Sequence, residues 1–154
     1  MFKKVLIANR GEIALRVMRS CKDMGIKTVA VYSDADRNAL HTQYANEAYR
    51  LGPPASSESY LLGDKIIEIC KATGSEAVHP GYGFLSENAQ FARKLMENGI
   101  TLIGPSPDSM DLMGSKLASK EAVAKFNVPL VPGTKDAVTD PKEAIKISEK
   151  IGYP

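Results

Sequence analysis

Residues 4–33 read KVLIANRGEIALRVMRSCKDMGIKTVAVYS, and this stretch decides the fold class. Its first apolar run, Val5–Ala8, is short and continuous, which is typical of a strand buried on both faces of a sheet. A turn at residues 9–11 follows, and residues 13–21 then place apolar side chains at helical spacing. A second apolar run lies at residues 28–32. A strand, a helix and a strand in this order predict a βαβ unit and a parallel sheet.

The same alternation continues to about Gly104. Three further strands are predicted at Tyr49–Leu51, Ala77–His79 and Ile100–Ile103, with helices between them. Right-handed crossovers place such helices on both faces of the sheet. We therefore predict an α/β fold, a Rossmann-like parallel sheet with helices on both faces, as a domain covering residues 1–110.

A different pattern begins after Pro105, where strands no longer alternate with helices. Helices are predicted near Asp108–Met113 and Lys116–Phe126, and a last one begins at Pro141 behind an Asp140 N-cap. Isolated helices of this kind do not close a second core. We expect residues 111–154 to be the incomplete opening of a further domain.

Composition excludes several classes of protein. The chain has 154 residues, 44% hydrophobic and 25% charged, with a formal net charge of +2, which is ordinary globular usage. There is no basic tract for nucleic acid, and no apolar run is long enough to span a bilayer. Cys21 and Cys70 lack metal-binding spacing and fall on apolar helix faces, so we expect reduced core thiols in a cytoplasmic protein.

Ligands of open parallel sheets bind beyond the carboxyl ends of the strands. The first such loop, residues 8–14, has one glycine where a dinucleotide fingerprint needs three, although Asp34 follows at the distance of a ribose-binding acid. Glu12 would also repel a pyrophosphate at the helix start. The loop therefore disfavours a dinucleotide-binding domain, and we expect Glu12 to help cap the helix and Arg10 to pair with a carboxylate.

The loop His79–Asn88 reads HPGYGFLSEN and places Tyr82 between two glycines. Glycine lets the backbone turn sharply and approach a ligand closely. Tyr82 either plugs this turn or lines a pocket with its ring face, and the residue types leave both alternatives open. His79 has no partner at metal-ligand spacing, so we expect it to support the loop by hydrogen bonding.

Two further features carry a functional and an ordinary interpretation. Ser115 is a plausible N-cap, which would put Lys116 at a helix N-terminus, either as a phosphate contact or as a solvated lysine. Arg16, Arg19 and Asp23 share one outward face of the first helix, either as a solvated stripe or as part of a subunit contact.

Four segments, taken together, resemble the N-terminal part of biotin carboxylases, the ATP-dependent component of biotin-dependent carboxylases. They are KVLIANRGEIALRVMRSCKDMGIKTVAVYSDAD, EAVHPGYGFLSENAQFA, LIGPSPDSMDLMGSK and VPLVPGT, and they follow the family's order and spacing over essentially the whole chain. The resemblance implies an N-terminal α/β domain, followed from about Asp111 by a linker and the first helices of an ATP-grasp domain. One departure is Asn46, where many relatives have aspartate.

The resemblance also implies the reaction and its participants. ATP and bicarbonate would carboxylate carrier-bound biotin through carboxyphosphate, with Mg²⁺ neutralising the transferred phosphoryl group. The family's magnesium ligands and catalytic groups lie further on, so we expect no catalytic or metal-binding residue in this chain and no activity from it alone. The acyl acceptor (acetyl-CoA, propionyl-CoA or pyruvate) is chosen by a separate carboxyltransferase.

Individual residues match family positions as well. Lys116 matches an ATP-contacting lysine, and Tyr82 and Gly83 match the loop against which the ureido ring of biotin lies. Arg16, Arg19 and Asp23 match a homodimer surface. The expected partners are a biotin carboxyl carrier domain, the carboxyltransferase and a second copy of the protein, without nucleic acid or membrane. The alternatives are another ATP-grasp ligase, a dinucleotide-binding domain and a non-catalytic assembly module.

Overall fold

The computed structural model describes residues 1–134 and 137–152. Its strands are β1 (Lys4–Ile7), β2 (Lys27–Ser33), β3 (Glu47–Gly52), β4 (Ala77–His79) and β5 (Thr101–Leu102). Its α-helices are α1 (Gly11–Asp23), α2 (Leu40–Tyr44), α3 (Gly63–Thr73), α4 (Ala89–Glu97), α5 (Pro107–Gly114), α6 (Lys116–Ala124) and α7 (Pro141–Ile151). Single 3₁₀ turns lie at Asp34–Asp36 and Ser56–Glu58.

The five strands form one sheet in the order β3-β2-β1-β4-β5, and every neighbouring pair is parallel. Strand β1 is central: Val5 pairs with Thr28 of β2 on one side and with Ala77 of β4 on the other. The predicted parallel α/β sheet is therefore confirmed.

Alternation along β1 divides the core into two halves. Val5 and Ile7 face α1, whose Met18 is fully buried, while Leu6 faces the opposite way. The second half of the core is supplied largely by α3 and α4, through Ile66, Ile67, Ile69, Cys70, Phe91 and Leu95. Helices thus cover both faces, as predicted, and every residue of β1 after Lys4 is buried.

Three elements differ from the sequence-based expectation. Strand β5 contains only Thr101 and Leu102, whereas the prediction was Ile100–Ile103. Strand β3 begins at Glu47, whereas the sequence predicts a start at Tyr49. The sequence pattern missed this start because the first residues of this edge strand are largely exposed and form no continuous apolar run. Helix α2 has only five residues and no capping side chain, so it lacks the stripe that identifies longer helices. Asn46 accepts a hydrogen bond from the backbone N–H of Thr28 at 2.8 Å, a bond that a carboxamide oxygen makes without negative charge.

Both cysteines are buried and unpaired, as expected. Burial raises the pKa of Cys70 to about 12 and also raises the pKa of Cys21, so both stay thiols at neutral pH. They contribute to the two halves of the core as small apolar side chains.

The chain divides into two compact units, Met1–Met110 and Asp111–Pro154. In the second unit no described side chain is buried. Its last helix begins as predicted, with the Asp140 carboxylate accepting a hydrogen bond from the Lys142 N–H at 3.0 Å. Along the described part of the chain, the helices are too short or too polar to cross a membrane.

One of the buried polar side chains of the first unit is an imidazole. His41, on α2, is fully buried, with Nε2 3.3 Å from the Val31 carbonyl oxygen and with no partner for Nδ1 among the described residues. Burial lowers the pKa of His41, and burial lowers that of His79 as well. Both imidazoles are therefore neutral in the folded protein near pH 7.

We expect the free energy of unfolding to fall as the pH drops below about 6.5. The histidines of the unfolded chain then bind protons, whereas the buried imidazoles of the folded chain, with lowered pKa values, remain neutral. Each histidine adds a slope of at most about 1.4 kcal/mol per pH unit. Urea denaturation of the chain at several pH values between about 7.5 and 5.5 measures this slope. His41→Gln removes one contribution and flattens the slope, and His79→Gln is the matched variant for the other. An unchanged slope in His41→Gln contradicts a neutral, buried His41.

Candidate functional site

The loops that follow β1 and β4 meet at the carboxyl edge of the sheet, because these two strands are neighbours. Asn9, directly after β1, donates from Nδ2 to the carbonyl oxygens of Pro80 at 2.8 Å and Tyr82 at 2.9 Å. Its Oδ1 accepts from the backbone N–H of Arg10 at 2.9 Å. Asn9 is only 4% exposed, so its carboxamide is a buried tie between two loops.

The loop after β4 has a left-handed backbone at Gly81, Gly83 and Phe84, with φ of 63°, 67° and 45°. At Gly81 a Cβ atom would lie 2.5 Å from Asn9 Nδ2, whereas at Gly83 nothing lies within 4 Å. The Gly81 N–H donates to His79 Nδ1 at 3.1 Å, so His79 supports the loop from below as expected. Position 81 requires glycine because its φ is positive and because the Asn9 side chain leaves no room for a Cβ atom.

Tyr82 projects into solvent and is 77% exposed, which contradicts the alternative in which it plugs the turn. The aromatic residue that packs inward is Phe84, whose ring stacks on Tyr60 with centroids 5.0 Å apart and an interplanar angle of 20°. The loop is thus held by Asn9 and by Tyr60, and Tyr82 stands between these two attachments.

Tyr60 connects this loop to the end of β2. Its hydroxyl donates to Asp36 Oδ2 at 2.7 Å and accepts from the Ser33 N–H at 3.0 Å. Arg10 Nη1 reaches the same carboxylate at 2.9 Å. Burial would raise the pKa of Asp36, but the hydrogen bonds from Tyr60, Arg10 and Ser33 hold it below its ordinary value. Burial and the Asp36 carboxylate raise the pKa of Tyr60 to about 12, so Tyr60 remains a hydrogen-bond donor.

Arg10 therefore pairs with a carboxylate, as predicted. Asp34, the acid that could have met a ribose, is instead engaged by Arg50 through two hydrogen bonds of 2.7 and 2.6 Å. Its hydrogen bond to Arg50 lowers the pKa of Asp34. Asp34 is thus occupied by Arg50, and the Asn9 side chain lies against Gly81.

The second unit contains Lys116, at the first position of α6 and exposed. Ser115 is the N-cap as predicted, and its Oγ accepts from the Ala118 N–H at 3.3 Å. A groove of about 1030 Å³ lies in this unit, lined among others by Ser115, Leu117 and Val131. Lys116 belongs to the second unit, whereas Tyr82 belongs to the first.

Arg16, Arg19 and Asp23 are all exposed on α1, opposite the buried stripe that includes Ala14 and Met18. None of the three forms an ion pair within the described residues. Among residues 1–134 and 137–152, no group of three or more histidine, cysteine, aspartate or glutamate side chains could hold a metal ion.

Sequence reasoning did not identify Asn9, Asp36, Tyr60 or Phe84 as parts of this arrangement. Asn9 was visible only as a bulky residue where a dinucleotide loop needs glycine, and its contacts are with residues 71 and 73 positions away. Tyr60 lies outside any predicted strand end. Only the strand order brings these residues together.

The two loop glycines give a matched test of this geometry. Gly83→Ala should destabilise the fold by the strain of a left-handed alanine alone, about 1–2 kcal/mol. Gly81→Ala adds to that strain a clash with the buried Asn9, about 1–3 kcal/mol more. Urea denaturation of the two variants measures the difference, and equal losses of stability would contradict the close packing of Asn9 on Gly81.

Comparison with known proteins agrees with this architecture. The family model for the N-terminal domain of biotin carboxylase matches residues 1–110. Over 154 residues the chain is 54% identical to a pyruvate carboxylase subunit from Methanothermobacter thermautotrophicus, covering 100% of this chain and 31% of that protein. It is 53% identical to a biotin carboxylase of Halalkalibacterium halodurans, of which it covers 34%.

A solved structure of high similarity is the biotin carboxylase domain dimer of Hydrogenobacter thermophilus 2-oxoglutarate carboxylase, in complex with MgADP, ADP and bicarbonate. It superposes with a TM-score of 0.92 at 49% identity, covering 100% of this chain and 34% of that one. The chain spans about a third of the length of these relatives. The parallel sheet, the loop at its carboxyl edge and these matches agree with one another. We conclude that the chain belongs to the biotin carboxylase family, with the family's N-terminal domain at residues 1–110.

Proposed function

We propose that the protein carrying this chain is an ATP-dependent ligase that carboxylates carrier-bound biotin, and that this chain supplies one wall of the biotin site and an early ATP contact. The observation that carries the proposal is Tyr82, held out into solvent at the carboxyl edge of the sheet on a loop fixed from both sides. Ligands of parallel α/β folds bind at this edge.

In the proposed reaction, bicarbonate attacks the γ-phosphorus of ATP, forming carboxyphosphate and ADP. Carboxyphosphate then breaks into carbon dioxide and phosphate, the phosphate takes the ureido proton of biotin, and the ureido nitrogen bonds to the carbon of carbon dioxide. Mg²⁺ supplies charge neutralisation at the phosphoryl group. The chain spans about a third of the length of its relatives, and we propose that the magnesium-binding and catalytic groups belong to other parts of the protein.

Tyr82 and Gly83 suit a flat, polar bicyclic substrate. An exposed phenol ring offers an apolar face for the ureido ring and a hydroxyl at its edge. Gly83 has no side chain and open space around its Cα, so the substrate can approach the backbone closely. Their role is to bind and orient biotin.

Lys116 suits the nucleotide. It is exposed at the N-terminus of a nine-residue helix, where unpaired backbone N–H groups favour an anion and an ammonium adds a point charge. We propose that residues 111–154 are the linker and first helices of an ATP-grasp domain. The groove of this unit is lined by Leu117 on α6 and by Leu130 and Val131 in the segment that follows α6. All three are exposed, as expected of apolar side chains that pack against another part of the protein.

Paired variants of the complete protein test both assignments in one assay of bicarbonate- and biotin-dependent ATP cleavage. Tyr82→Ala should raise the KM for biotin about tenfold, the value of one lost aromatic contact, with little change in the KM for ATP. Lys116→Ala should raise the KM for ATP by a similar factor and spare biotin.

Two control variants separate these roles from loss of structure. Tyr82→Phe keeps the ring and should retain most biotin binding. Lys150→Ala removes an exposed lysine in the last turn of α7, where the helix dipole disfavours an anion, and should leave both KM values unchanged. Equal effects of Tyr82→Ala on biotin and ATP would remove Tyr82 from the biotin site, and an unchanged KM for ATP would remove Lys116 from the nucleotide site.

The proposed partners are a biotin carboxyl carrier domain, a carboxyltransferase that selects the acyl acceptor, and a second copy of the same protein. We place the homodimer contact at Arg16, Arg19 and Asp23, which are exposed on α1. Two cations and an acid on one helix face suit a symmetric contact in which each copy meets the other's charges. We also propose a cytoplasmic location, since Cys21 and Cys70 lie in separate halves of the core and do not form a disulfide framework.

Charge reversal tests the dimer surface. Arg19→Glu in the complete protein should weaken dimerisation at least tenfold, because a cation facing acceptors on the partner becomes an anion. Lys71→Glu, an exposed charge reversal on α3 at the other face of the sheet, is the matched control. Sedimentation velocity over a concentration series measures both, and identical dissociation constants would place the contact elsewhere.

A further inference from the structure

We propose that Asn9 is a positioning residue for biotin: its carboxamide fixes the carbonyl groups on both sides of Gly81 and so sets the direction in which Tyr82 leaves the loop. This inference rests on the proposed role of Tyr82. It adds a residue from a different loop, 73 positions away, that no sequence match singled out.

The hydrogen bonds of Asn9 leave no freedom in its carboxamide. Both N–H groups are used, on the carbonyl oxygens of Pro80 and Tyr82, and Oδ1 accepts from the Arg10 N–H. The opposite orientation of the carboxamide would set its oxygen against two carbonyl oxygens and its NH₂ against an N–H. The side chain is 4% exposed, so water does not compete for these bonds.

The bonds act on Tyr82 directly. One of the two accepting carbonyls belongs to Tyr82 itself, and the other belongs to Pro80, two residues earlier. Between them Gly81 is in the left-handed conformation and packs against the Asn9 side chain. The Cα–Cβ bond of Tyr82 therefore leaves a backbone that is fixed before and after it.

The stack of Phe84 on Tyr60 holds the far side of the same loop, two residues beyond Tyr82. The two attachments therefore differ in what they control. Tyr60 fixes the course of the chain after Gly83, whereas Asn9 fixes the peptide groups that carry Tyr82. A substrate that stacks on the Tyr82 ring should sense the loss of Asn9 first.

The test uses the complete protein with free biotin as substrate in bicarbonate-dependent ATP cleavage. Asn9→Asp keeps the shape of the side chain but replaces both N–H donors with oxygen, and Asn9→Ala removes the group. Each should raise the KM for biotin about fivefold to tenfold, the value of one or two lost hydrogen bonds, with the KM for ATP within about twofold of the unmodified protein. Asn9→Ser replaces any variant that fails to fold.

A double-variant cycle separates positioning from a general structural role. If Asn9 acts through Tyr82, then Asn9→Ala added to Tyr82→Ala should change the KM for biotin by less than about twofold, because there is no ring left to position. Full additivity overturns the proposal. Equal increases in the KM values for biotin and ATP also overturn it.

The same cycle distinguishes failure of this inference from failure of the proposed function. If Tyr82→Ala raises the KM for biotin and the Asn9 variants do not, the inference alone is overturned. If Tyr82→Ala leaves the KM for biotin unchanged, the biotin role of this loop fails and the inference fails with it.

Discussion

Burial of β1 on both faces is the constraint on which the rest of the first unit depends. Its side chains alternate between the half of the core built on α1 and the half built on α3 and α4. A strand in this position must be apolar without interruption, and it must have a neighbour on each side to pair its backbone. The first polar residue that follows, Asn9, then emerges between the loops of the neighbouring strands. Its carboxamide is buried there, against the carbonyl oxygens of Pro80 and Tyr82.

The two carboxylates at the same edge, Asp34 and Asp36, are paired with side chains of the first unit. Arg10, Ser33 and Tyr60 all donate to Asp36, and Arg50 occupies Asp34. A buried or half-buried carboxylate with several donors is stable as an anion, so these acids serve the structure. At this edge of the first unit, Asp34 and Asp36 are therefore engaged by Arg50 and Arg10 within the fold.

The sheet and its helices followed from the sequence because burial on both faces leaves a clear pattern of apolar runs and stripes. The start of β3 did not, since the exposed side chains of an edge strand follow no such pattern. The orientation of Tyr82 also could not be predicted: a tyrosine between two glycines suits a plug and a wall equally well. What resolves it is Phe84, which takes the inward position on Tyr60, and that contact joins residues 24 positions apart through the fold alone.

The backbone of the loop after β4 is the strongest sign that the exposure of Tyr82 is built into the structure. Three of four consecutive residues, Gly81, Gly83 and Phe84, have positive φ, which is costly for Phe84 in particular. Such a conformation persists only when the surroundings determine it, and here Asn9, His79 and Tyr60 do so. A turn that merely reversed the chain would need neither the strained phenylalanine nor a buried carboxamide. Together they hold one aromatic ring in solvent at the edge where parallel sheets bind their ligands.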